Sequence, residues 1–166
     1  MSTDGIVLLK NDHRELRRVF TQFERAGERA VKQKARLVDR MIELLTVHTY
    51  IENEIMYPRV RELVPALEAD ILESYEEHHV ADQLVMELAT MSADDERFTA
   101  KTTVLMENVR HHMQEEEDEW FPRVRAALGR TVLRELGAEM LEAKSAAPRR
   151  PSQPSALRKA VDAVVA

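Results

Sequence analysis

Apolar residues recur at helical spacing along most of the chain, and their stripes predict four long helices. The first is expected over residues 6–29, with Leu9, Leu16, Val19, Phe20 and Phe23 on one face and Thr3 or Asp4 as its cap. The second, over 33–57, carries Val38, Met41, Leu45, His48 and Glu52 on one stripe. Pro58 should end or kink it, because proline lacks a backbone donor and disfavours a helical residue before it. Residues 59–64 then continue as a bent turn until Pro65. A third helix is expected over 66–91, closed by the turn Ser92-Ala93-Asp94-Asp95, and a fourth over 96–121, broken at Pro122 as the second is at Pro58. Residues 124–144 suggest a shorter fifth helix interrupted near Gly129. Short connections between long helices favour antiparallel neighbours, so the fold class is all-α, an up-down-up-down four-helix bundle with a short extra C-terminal helix.

From Ser145 the composition changes to Ala-Ala-Pro-Arg-Arg-Pro-Ser-Gln-Pro-Ser, which has no periodicity and little apolar surface. The expected division is therefore a bundle over 1–144 and a flexible tail over 145–166, whose last ten residues form at most a weak amphipathic turn. The net charge is -6, and the basic tail leaves residues 1–144 at -9, which argues against a nucleic-acid partner. There is no cysteine, so thiolate metal sites, cysteine nucleophiles and redox dithiols are excluded. No apolar run approaches the roughly 18 residues of a membrane span, and the first residues lack a basic, apolar leader. The expected partners are small molecules and the expected compartment is the cytoplasm.

The chemistry lies in a repeat. His48, Glu52, Tyr57, Pro58, Arg59, Val60 and Arg61 match His112, Glu116, Phe121, Pro122, Arg123, Val124 and Arg125, each pair offset by sixty-four. The apolar positions before each histidine match as well, so both a packing face and its polar residues recur. Histidine and glutamate four apart share one face of a helix, and each copy presents an imidazole and a carboxylate in the same direction. Two such helices facing each other can hold a pair of metal ions.

The duplication extends to the other two helices. His13 precedes His48 by thirty-five residues and His78 precedes His112 by thirty-four. Aligning His78 with His13 sets Ala81 against Leu16 and Leu88 against Phe23, whereas His79 would set Asp82 against Leu16; His78 is the inward residue. His112 is preferred to His111 because only His112 has Glu116 four residues on in register with His48. His79 and His111 are expected at the periphery. A lone HxxxE is commonly a surface pair, and the glutamates over 115–119 mostly read as a solvated face, but two pairs in register, each preceded by a further histidine, point to metal.

The ordered set His13, His48, Glu52, His78, His112 and Glu116 resembles the H-HxxxE-H-HxxxE pattern of the hemerythrin-like (HHE cation-binding) family over about residues 5–128. The EEHH and HHMQEEE segments are similar to its actinobacterial branch. The resemblance implies a non-haem centre of two iron ions, bridged by the two glutamates and an oxo or hydroxo group. It also implies small ligands such as O2, H2O2 or NO. Where oxygen carriers of the family have a further histidine four residues before the third-helix ligand, this chain has Ser74. Each iron would then keep a vacant position, which favours chemistry over carriage. Tyr75, one turn before His78, reads as a core aromatic or as a phenolate ligand filling that place. Leu9, Leu16, Met41, Leu45, Leu105 and Val109 are expected to wall the site. The leading expectation is an oxidoreductase of peroxide disproportionation or nitric oxide turnover, and the alternative is a non-catalytic oxygen- or iron-sensing module.

Overall fold

Asp4 starts the first helix: its carboxylate accepts the Val7 N–H at 2.9 Å, so of the two expected caps it is the one used. The computed structural model describes residues 3–151, and among them every regular element is helical. Helix α1 spans Gly5–Arg25 and α2 spans Val31–Ile51, and five residues join them. Helix α3 spans Tyr57–Leu63. A short 3₁₀ turn at Pro65–Leu67 leads into α4, Glu68–Thr90, and after the turn around Ser92 to Arg97 comes α5, Phe98–Glu115. Helix α6 spans Phe121–Ala146. Four of these, α1, α2, α4 and α5, form the expected up-down-up-down bundle.

Neither proline ends its helix. Between α2 and α3 the backbone widens into one π-helical turn at Glu52–Met56, and between α5 and α6 into another at Glu116–Trp120. At the end of each, Tyr57 N–H bonds to Glu52 carbonyl and Phe121 N–H to Glu116 carbonyl, five residues back. The wide turn absorbs the crowding that a proline ring would cause, and Pro58 and Pro122 become early residues of a new α-segment, where no N–H is needed. The expected breaks are therefore local expansions of continuous rods.

The expected interruption near Gly129 is present. Its φ of 72° bends α6, a conformation that favours glycine. The bend returns the second half of α6 over the start of α1, where Gly137 meets the backbone of Thr3 and Asp4 so closely that a Cβ would collide with it. Helix α6 also runs two residues past its expected end. Ala147 is buried, and Arg149 and Arg150 pair with Glu43 and Asp39 of α2, so charge rather than apolar area holds this stretch. Residues 152–166, with the amphipathic turn expected over 157–166, lie outside the described residues.

Two apolar clusters fill the bundle. One packs Leu16, Phe20, Met41, Leu45, Val85, Leu105 and Met113; the other packs Leu9, Ile51, Met56, Ile71, Trp120, Phe121 and Leu136. The ligand candidates fall between them in every helix: His13 between Leu9 and Leu16, His48 between Leu45 and Ile51. A single polar layer thus divides the core.

Candidate metal centre

All six residues of the repeated set meet in that layer, each at most 6% exposed. Two groups of ligand atoms result. His13, His48, Glu52 and Glu116 form one, and Glu52, His78 and His112 the other, with the atoms of each group within 4.8 Å of one another. The two glutamates tie the groups together. Glu52 Oε2 lies 3.3 Å from His48 Nε2 and 3.2 Å from His78 Nε2. Glu116 places Oε2 3.2 Å from His13 Nε2 and Oε1 3.5 Å from His112 Nε2.

The outer nitrogens explain why the inner ones converge. His13 Nδ1 donates to Glu117 Oε1 at 2.7 Å, His78 Nδ1 to Asn53 Oδ1 at 2.9 Å and His112 Nδ1 to Glu77 Oε2 at 2.5 Å. Asp12 Oδ2 faces His48 Nδ1 at a longer 3.5 Å, while Lys144 of α6 holds its other oxygen. Each acceptor adjoins a ligand candidate in sequence and serves a histidine of the next helix: Asp12 on α1 serves α2, Asn53 serves α4, Glu77 on α4 serves α5, and Glu117 serves α1. These hydrogen bonds assign the Nδ1 proton of His13, His78 and His112 and turn their Nε2 atoms inward, the tautomer a metal requires, whereas His48 Nδ1 has no hydrogen-bond partner.

Those inward atoms lack donors. His13 Nε2, His48 Nε2, both Glu52 oxygens and Glu116 Oε2 are buried without a hydrogen-bond partner. Each such loss costs about 1–3 kcal/mol, so a layer of them is sensible only around cations. The second pair shows the same demand. His78 Nε2 and His112 Nε2 face each other at 3.0 Å, a contact that needs a proton or a metal between them. Without metal it is a proton. Burial pushes His78 down to about 3, and the charge on His112 adds to this. Burial also acts against the charge on His112, but Glu116 and the hydrogen-bonded Glu77 outweigh it and hold His112 up at about 9. The carboxylates split likewise: burial and the charge of Glu116 raise Glu52, whereas at Glu116 burial is outweighed by His112 and His13, which lower it.

Tyr57 is the residue that sequence reasoning missed. It is fully buried, donates its hydroxyl to Glu116 Oε1 at 2.9 Å, and places that oxygen 3.3 Å from His78 Nε2 and 3.4 Å from His112 Nε2. Burial and then Glu116 raise its pKa well above that of an ordinary phenol. Tyr75, proposed from sequence for this place, is only half-buried; its hydroxyl lies 3.5 Å from the Asn53 carbonyl and its ring packs edge-on against Tyr57. The cause is helical phase. Tyr57 lies nine residues from His48, half a turn out of phase on an unbroken α-helix, and the wide turn after Glu52 brings it inward.

Its counterpart in the repeat, Phe121, stacks on His13 at 5.8 Å as Tyr57 does on His78 at 5.4 Å. His111 is exposed and His79 half-buried, as expected, and the six expected wall residues are all buried. Glu117, read as part of a solvated face, is instead the partner of His13 and Arg17.

The hemerythrin HHE cation-binding domain profile matches residues 4–124. The chain belongs to this family. A hemerythrin HHE cation-binding domain-containing protein from Mycobacterium kansasii is similar in fold. It has a TM-score of 0.71 and 19% identity, with 87% of this chain and 89% of that one covered. A DNA nickase from Nostoc sp. is 25% identical over 138 residues, which is 83% of this chain but 38% of that protein. The chain thus spans well under half of that relative. A domain of this family binds cations, and the buried histidine and glutamate clusters are able to hold metal.

Proposed function

We propose that this HHE domain is a non-haem di-iron protein that binds and turns over small neutral oxidants, hydrogen peroxide or nitric oxide. His13 and His48 would hold one iron, His78 and His112 the other, and Glu52 and Glu116 would reach both. Two irons held so closely supply redox chemistry in one- and two-electron steps. The observation that carries the reading is Tyr57. Its oxygen stands beside the second histidine pair, where Phe121 offers the first pair only a ring.

An anionic oxygen donor favours the more highly charged metal, which works against reversible carriage and in favour of turnover. With that oxygen as a ligand the two vacancies counted from sequence would become unequal. Without metal that oxygen is protonated and donates to Glu116; as a ligand it would release the proton. A small cavity of about 10 Å³ touches His48, His78 and His112 and is otherwise lined mainly by Leu45, Ala81, Val109 and Met113. It is about the size that holds a single water, and its mainly apolar wall suits a neutral occupant.

The test is metal content, followed by oxygen release on adding hydrogen peroxide and by nitric oxide consumption at an electrode. About two irons per chain with sustained turnover, abolished by Glu52→Ala, is the expected result. Two irons without turnover of either oxidant would favour the sensing alternative, and no bound metal after expression with ample iron would refute the proposal.

A further inference from the structure

Between α4 and α5 a cleft of about 90 Å³ runs from the surface to His112 and Glu116. Helix α4 lines it with Asp70, Glu73 and Glu77, and the facing wall carries Glu115 and Glu119. The acidic positions recur one helical turn apart on both walls, so carboxylates are met at every depth. The cleft is open at its throat because Ser74 stands there, a small residue at the position where a larger side chain would fill it.

Two further observations point to what the cleft accepts. At its mouth Glu77, His111 and Glu115 bring ligand atoms within 4.8 Å of one another, a group in which the otherwise peripheral His111 joins two wall residues. At its floor Glu116, 2% exposed, has a carboxylate oxygen with no hydrogen-bond partner, an unsatisfied acceptor at the end of the acidic walls. A cleft of this volume has room for a cation that keeps several waters.

We infer that this cleft is a cation-selective uptake port, which draws divalent metal ions from solution and hands them through Glu77, His111 and Glu115 to the buried centre. The inference rests on the metal-centre reading. It adds a route and a selectivity. Carboxylates that line a low-dielectric cleft concentrate cations and raise their arrival rate by about 10- to 10³-fold. The same field opposes anions, so the port sorts neutral oxidants and metal cations from anionic ligands such as azide.

The experiment uses the full chain stripped of metal, mixed with Co2+ in a stopped-flow instrument and followed by visible absorption. The variant neutralises three exposed wall residues, Glu73→Gln, Glu115→Gln and Glu119→Gln. A control neutralises three exposed glutamates that do not line the cleft, Glu62→Gln, Glu96→Gln and Glu139→Gln. At low ionic strength the port variant should load about ten-fold more slowly than the parent, with the same final stoichiometry, while the control loads at nearly the parent rate. Added salt should slow the parent towards the variant. Azide should bind the loaded port variant faster than the loaded parent, a reversal of sign that mere structural damage would not give. Equal loading rates for parent and port variant, or equal slowing by the control, would overturn the port while leaving the centre intact. Failure of the parent itself to take up Co2+ would overturn both.

Discussion

The two halves of the metal centre descend from one repeated pattern, and they differ at two places. Around His13 and His48 the aromatic neighbour is Phe121 and both outer acceptors, Glu117 and Asp12, are carboxylates. Around His78 and His112 the aromatic neighbour is Tyr57, and one acceptor is the neutral amide of Asn53. The first half places negative charge behind its imidazoles. The second replaces one such charge by a hydroxyl in the centre itself. The second half therefore carries one negative charge fewer behind its imidazoles and one more protein oxygen beside them, so the halves are chemically unequal.

The largest effect is expected where the halves join. Glu52 belongs to both ligand groups, so Glu52→Ala should reduce bound metal from about two per chain to less than one. His13→Ala or His78→Ala should each leave about one. Equal losses in all three variants, by metal analysis, would show that the halves do not bind separately.

Exchanging the aromatics comes next. Tyr57→Phe should remove an intense phenolate-to-iron band from the ferric spectrum, Tyr75→Phe should leave that band in place, and Tyr57→Phe with Phe121→Tyr should return a band with altered position. A spectrum unaffected by Tyr57→Phe would remove tyrosine from the centre.

The outer acceptors should matter less, at about 10- to 100-fold in metal affinity for Glu117→Gln or Glu77→Gln. Asn53→Asp should act in the opposite direction by making His78 more basic. Competition with a chelator measures all three, and a loss of affinity in Asn53→Asp would contradict the charge comparison.

The smallest effect is the response of the metal-free protein to pH. His112 rises from its ordinary 6.5 to about 9 on folding, so it contributes stability in full below 6.5 that is lost as pH rises through 9. His78 falls to about 3, so its neutral burial costs stability as pH falls below 6.5. The second half alone therefore favours a melting optimum near 6.5, which metal should abolish. Metal uptake at pH 7 should also release a proton from His112, seen as a buffer-dependent heat that fades above pH 9.

That the four histidines and two glutamates share one buried layer was legible because the sixty-four-residue offset repeats polar and apolar positions together, and chance does not align both. Tyr57 was not, because helical phase read from sequence assumes 3.6 residues per turn and each proline is preceded by a wider one. The repeat held the signal all the same: Tyr57 and Phe121 occupy equivalent places and only one has a hydroxyl. Asp12 and Glu77, or Asn53 and Glu117, also match across the halves. Glu117 was read as part of a solvated face and the other three drew no reading, because on a helix the neighbour of an inward residue points about 100° away, towards the adjoining helix where the next histidine waits. Glycine at 129 announced the bend in α6, whereas the pairing of Arg149 and Arg150 with α2 depends on where that bend sends the chain.

Inequality of the two metal positions is open to direct measurement by Mössbauer spectroscopy of the diferric protein loaded with 57Fe. Two quadrupole doublets of equal area, drawn together by Tyr57→Phe, are expected. A single doublet unchanged by that substitution would mean that the halves are equivalent and that Tyr57 does not set them apart.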